Sequence, residues 1–331
     1  MILNCLRMIL MSLATRPLSV LSALVAAVLL AGCGATDTDA GSGRQAVASF
    51  YPLAWVSERV AGDEWEVTNL TQPGSEPHDL GLDISRTALI EEAAVVVFER
   101  GFQPAVDEAV DNVAGGIEVD AAEAVELIPA GEGHDHGEPG HEGEEGQEDG
   151  DGHEAEEGHG DLDPHFWLDP LLMADLADVV AEALAEADPE GAETYTDNAA
   201  ALRTELEQLD TAYSEGLAAC ERDTVVVSHD AFGYLERYGL HFEGIAGLTP
   251  DAEPTPAVLA HLQELIAGEG ITTVFSERLA SPAMAEALAR DAGVQTAVLD
   301  PIEGPDGSDD ADEYVALMEQ NLAALREANG C

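Results

Sequence analysis

Ten histidines are unevenly spread over this chain of 331 residues, and imidazole is the commonest protein ligand for zinc, copper and nickel. Five of them, His134, His136, His141, His153 and His159, fall in the run 131–163, GEGHDHGEPGHEGEEGQEDGDGHEAEEGHGDLD. The run also holds fourteen Asp or Glu and ten Gly, and its one apolar residue larger than alanine is Leu162. Such a segment buries too little surface to offset its ordering entropy, so it is expected to be a mobile loop. What it can offer is weak, flexible ligation of a divalent metal.

Three other histidines stand in turn-rich contexts. His78 lies in Pro73-Gly74-Ser75-Glu76-Pro77-His78-Asp79, and His165 in Asp163-Pro164-His165-Phe166-Trp167-Leu168-Asp169-Pro170, where the acidic run ends. His229 lies in Ser228-His229-Asp230, just past an apolar run, and Asp300 in Leu299-Asp300-Pro301, just past another. Brought together, they would form a centre of three imidazoles and one carboxylate, a donor set suited to tetrahedral zinc. Singly, each has an ordinary alternative: a hydrogen-bonded loop histidine, or an aspartate closing a turn before Pro301. His241 and His261 read as a strand residue and an exposed helix residue without a ligand role.

Elements able to position these residues are legible in the pattern. Short apolar runs rich in β-branched residues occur at 45–51, 66–70, 94–99 and 117–120, and again at 224–228, 241–246, 272–276 and 295–299. Helical stretches near 52–61, 85–93, 104–112, 231–238, 256–267, 282–291 and 312–328 alternate with them. The alternation predicts an α/β fold of two lobes, each a mainly parallel sheet covered by helices. Residues 170–219 contain no strand pattern. Helices are expected over 170–187 and from Asp188-Pro189 to about Ala219, the second burying Leu202, Leu206, Leu209 and Tyr213 on one face. The expected organisation is therefore a lobe at 45–169, a helical linker at 170–219 and a lobe at 220–331, with a ligand cleft between lobes.

The ends of the chain speak to its compartment. Residues 1–33 carry Arg7 and Arg16 and an apolar stretch from Leu18 to Leu30, then Leu30-Ala31-Gly32-Cys33. The stretch is short for a membrane span and has the make-up of a secretory leader. Small residues before Cys33 resemble a bacterial lipobox, which implies cleavage there and a lipid on Cys33. Residues 34–44 then form a flexible tether. With Cys5 in the leader, Cys220 and Cys331 remain, and an oxidising compartment predicts a disulfide between them, worth about 4 kcal/mol in the chain-entropy model. The chain has 67 acidic residues against 12 basic ones, all Arg, for a formal net charge of −55. Nucleic acid and anionic lipid surfaces are poor partners for that field, whereas cations are drawn to it, and it fits adaptation to high salt.

The motifs PGSEPHDLGLD, DPHFWLDP, SHDAFGYL, GLTPDAEPTP and VFSERLASP, with the His-rich insertion after the first, occur in that order. From about Gln45 to the C-terminus the chain resembles the zinc-binding lipoproteins of bacterial metal-uptake ABC transporters, the ZnuA/TroA-like solute-binding proteins. The resemblance implies two lobes joined by a long helix and no catalytic step. It implies one tight Zn²⁺ site at His78, His165 and His229, with Asp300, Glu76, Glu277 or water as fourth donor. It also implies delivery of Zn²⁺ to a membrane permease driven by an ATPase, from a monomer lipid-anchored outside the cytoplasmic membrane or in the periplasm. Histidine at the third position favours zinc over manganese or iron. A different class, a zinc hydrolase, would use the same donors with Glu277 as base, but no His-Glu-x-x-His helix motif is present. A surface adhesin or zinc-buffering protein is a third reading.

Overall fold

Eight strands predicted as apolar runs build two sheets in the computed structural model, which describes residues 44–130, 162–305 and 314–331. The leader, Cys33, nearly all of the tether and the five clustered histidines lie outside the described residues. In the first lobe β1 (Gln45–Ala48), β2 (Glu66–Asn69), β3 (Val95–Phe98) and β4 (Ile117–Asp120) lie in the order β2-β1-β3-β4. In the second, β5 (Thr224–His229), β6 (His241–Ala246), β7 (Thr273–Ser276) and β8 (Gln295–Val298) lie in the order β6-β5-β7-β8. Every pairing is parallel, so the two lobes repeat one topology. Parallel strands need helical crossovers that cover both faces, which is why β3 reads as an unbroken VVVF.

The helices are α1 (Tyr51–Ala61), α2 (Ile84–Glu92), α3 (Pro104–Val113), the short α4 (Ala121–Ala124), α5 (Pro170–Ala187), α6 (Ala192–Leu217), α7 (Pro256–Glu269), α8 (Ala283–Ala292) and α9 (Tyr314–Asn329). Local chemistry sets their starts. Thr255 caps α7 by accepting from Val258 N, with Pro256 at the first helical position, and Asp169 caps α5 by accepting from Leu171 N. Residues 233–238 form a 3-10 turn rather than the expected α-helix, closed by Gly239 at φ 86°. The four-residue α4 is shorter than any periodic pattern can reveal.

Strand alternation divides the core. Ala46, Ala48, Val95 and Val97 face one continuous core that runs through α1, α5, α6 and α9 into Val225, Val227 and Phe232 of the second lobe. Val47, Val96 and Phe98 face a separate outer cluster with Ile90 and Val110, and Val226 and Val274 face another with Leu262 and Leu288. Along α6, Leu202, Leu206, Leu209 and Tyr213 are all buried, and the helix packs on α1 of one lobe and α9 of the other. The lobes thus share a core rather than meeting across a slack linker. Beyond α6 the chain end is pinned back by a disulfide between Cys220 and Cys331.

Candidate metal centre

His78 comes from the loop after β2. Gln103 Nε2 donates to Pro77 O at 2.9 Å, Thr71 Oγ1 donates to Ser49 O at 2.8 Å, and Gly74 N donates to Pro305 O of the opposite lobe at 2.8 Å. Gly74 has φ 77°, which its lack of a Cβ permits. The ring packs edge-on against Phe102, with centroids 4.6 Å apart.

His165 opens the 3-10 turn Phe166–Leu168 and is fully buried. Asp163 Oδ1 accepts from its backbone N at 2.9 Å and its Nδ1 at 2.7 Å. Asp163 is itself 3% exposed, and Leu162 bridges to Pro129, so the last two residues of the acidic run are built into the fold. The next residue but one, Trp167, donates from Nε1 to Pro301 O at 2.7 Å and ties this turn to the second lobe. His229 ends β5 and is also fully buried. Its Nδ1 is 2.6 Å from Glu277 Oε1, the residue after β7, and Ser228 Oγ donates to the same oxygen. A carboxylate on Nδ1 fixes each ring and leaves Nε2 facing inward.

The structure corrects the fourth position. Asp300 does not join the three imidazoles: its Oδ2 takes Arg278 Nε at 2.5 Å and its Oδ1 takes Ile302 N at 2.8 Å. Those bonds shape a turn in which Ile302 has φ 61°, a conformation a β-branched residue rarely adopts. The turn presents Glu303 instead, whose Oε1 lies 3.2, 3.5 and 3.6 Å from Nε2 of His78, His165 and His229. Glu76 stays outside, with Oε1 4.0 Å from His78 Nε2, and Glu277 is the support of His229 rather than a member of the group. His241 is exposed, and His261 is half-buried rather than exposed as expected. Nothing in the sequence marked Glu303 except its place three residues beyond Asp300 on the same turn.

One donor atom from each of His78, His165, His229 and Glu303 lies within 4.8 Å of every other, and among the described residues no other such group occurs. A tetrahedron with zinc–ligand bonds of about 2.0–2.1 Å has edges of about 3.3 Å, close to the three Glu303 separations. His165 Nε2, His229 Nε2 and Glu303 Oε2 are buried without a hydrogen-bond partner among the described residues, as atoms awaiting a cation would be. Electrostatics agree. Burial acts to lower the His229 pKa, but Glu277 and Glu303 outweigh it and push it up to about 10. Burial is likewise outweighed at His165 by Asp163 and Glu303, which raise its pKa. Burial would raise the Glu303 pKa, yet its contacts with the three imidazoles hold it well below the carboxylate range.

A sequence profile of the family described as zinc-uptake complex component A, periplasmic (ZnuA), matches residues 46–328. The zinc-binding lipoprotein AdcA of Streptococcus pneumoniae is 34% identical over 323 residues, covering 94% of this chain and 61% of that protein. The chain thus spans about three fifths of the length of that relative. The high-affinity zinc uptake system protein ZnuA of Bacillus subtilis is 30% identical, with 91% and 94% covered. Among solved structures, the Zn(II)-bound ZnuA-like domain of S. pneumoniae AdcA superposes with a TM-score of 0.69 at 32% identity, covering 87% of this chain and 99% of the domain. The laminin-binding protein of Streptococcus agalactiae, described as an adhesin with metal-transporting activity, gives 0.72 at 26% identity, covering 86% and 99%.

Proposed function

The chain belongs to the family of zinc-uptake complex component A proteins, and from that membership we propose that it captures Zn²⁺ outside the cytoplasmic membrane and hands it to an ATP-driven permease. The single observation that carries this reading is the convergence of His78, His165, His229 and Glu303. Zn²⁺ is the cargo of this site. Three imidazoles and one carboxylate suit zinc better than manganese, whose preferred donors are carboxylate and water. Four protein donors close the coordination shell, as storage and handover require, whereas a catalytic zinc keeps a position for water. The hydrolase reading therefore has no support here, and Glu277 holds a ring instead of acting as a base.

The finer parts of the reading rest on the sequence. Residues 1–33 serve as a leader, Cys33 carries the lipid anchor, 34–44 tether the folded part, and the mature protein acts as a monomer. The run 131–161 gathers zinc weakly and passes it inward. No helix among the described residues is long and apolar enough to cross a membrane, which accords with attachment through a lipid. A second role as an adhesin draws on the laminin-binding relative alone.

Elemental analysis of protein purified without added metal, followed by zinc–manganese competition in calorimetry, tests the reading. One tight Zn²⁺ per chain that manganese does not displace is expected. Tight binding that survives His165→Ala would remove the site from consideration.

A further inference from the structure

Because both sheets follow one strand order, the junctions of the two lobes correspond, and the third strand is β3 in one and β7 in the other. The residue directly after β7 is Glu277, bonded to His229 and Ser228. Its counterpart directly after β3 is Glu99. Glu99 is 2% exposed, yet neither of its carboxylate oxygens has a hydrogen-bond partner among the described residues. A buried carboxylate without a partner is costly and calls for one.

Glu99 lines a cavity of about 400 Å³, and the wall also includes His78, Glu76, Asp79 and Asp251. Glu76 Oε2 is buried and unpartnered as well. Arg100, on the same wall, does not neutralise them, since it is engaged by Asp111 at 3.1 Å and Asp120 at 3.5 Å. Burial, with Asp163, Asp120 and Asp107 nearby, raises the Glu99 pKa well above the carboxylate range, so at neutral pH the group keeps a proton.

We propose that this cavity is a second divalent-cation site, in which a partly hydrated ion is held by Glu99 and Glu76 beside His78 on its way to or from the three-imidazole centre. The proposal rests on the reading of that centre as the zinc site. On binding, the Glu99 O–H gives its proton to water and the carboxylate oxygen takes the ion. Oxygen donors and retained water accept harder ions than imidazole does, so this site discriminates less than the inner one and takes manganese as readily as zinc.

Crystals of the full chain loaded with Zn²⁺ and soaked in Mn²⁺ test this directly. A manganese anomalous peak is expected against the Glu99 carboxylate, with zinc retained at His78, His165 and His229. Glu99→Gln should lose the manganese peak and keep the zinc peak, which also reports that the variant folds. In solution, stopped-flow fluorescence of Trp167, whose ring centroid is 5.2 Å from that of His165, follows Zn²⁺ arrival at the inner site. Association and dissociation should both slow roughly tenfold in Glu99→Gln, with the tight affinity within about threefold of wild type. No manganese in the wild-type cavity, or unchanged rates in the variant, overturns the proposal. Loss of tight zinc binding in Glu99→Gln also overturns it, by making Glu99 a support of the centre. Absence of zinc from the imidazoles of the wild-type protein would instead sink the metal-site reading, and this proposal with it.

Discussion

The two lobes have the same strand order but reach the centre by different means. The second lobe supplies His229 at a strand end, with Nδ1 held by Glu277, and Glu303 on a turn held by Asp300. His165, from the segment between the lobes, is held in the same way by Asp163. The first lobe supplies only His78, whose side chain is 10% exposed and whose loop is fixed through the backbone of Pro77 and Gly74. Three donors are therefore built rigidly into the fold, and one sits on an adjustable loop. The difference teaches that preorganisation can be concentrated on one side of a site, leaving the other side to open for the ion.

The largest expected effects fall on the rigid donors. Removing His229 or Glu303, as His229→Ala or Glu303→Gln, should weaken zinc at least a few hundredfold in competition titration, taking an equal share of the roughly 10–16 kcal/mol of a four-ligand site. Asp300→Asn should retain tight binding, and His78→Ala should cost less than His229→Ala. Equal losses at positions 78 and 229 would break the contrast between the lobes. Next in size is the disulfide. A Cys220→Ala, Cys331→Ala double variant should lose about 2–5 kcal/mol of stability by denaturant titration, with zinc affinity unchanged. Smaller again are the ring supports: Asp163→Asn and Glu277→Gln should each cost about 10–100-fold in affinity.

The smallest effect is a pH slope. The Glu99 pKa is raised in the folded protein, so the stability it contributes is fully present below the ordinary carboxylate range and is lost as pH rises from there toward the folded value. Metal-free wild type should therefore lose stability across that window relative to Glu99→Gln, by about 1.4 kcal/mol per pH unit at most. Parallel curves for the two proteins would show that Glu99 titrates normally.

Much of this was legible in the sequence. Both sheets can be read because strands covered on two faces become runs such as VVVF in β3 and TVVVSH in β5. The three histidines that converge stood out because each sits beside Pro or Asp at the end of a recognisable element. Glu303 was hidden because its position depends on Ile302 entering the left-handed region, which isoleucine does not signal. Asp300 took its place in the reading because it stands nearer the strand end, and what fixes its true role is Arg278, reached only in three dimensions. The orphaned state of Glu99 was equally out of reach, since a lack of partners is a property of the packed fold.

The bond from Gly74 N to Pro305 O joins the two rims of the cleft. A single amide–carbonyl contact has a net worth of about 1 kcal/mol, so thermal agitation alone would part it in roughly one molecule in six. With no ion present, the mouth should flicker without disturbing either sheet. An ion gripped by His78 and Glu303 would stitch the same two rims together, and the rim would then tell a docking partner whether the protein is loaded.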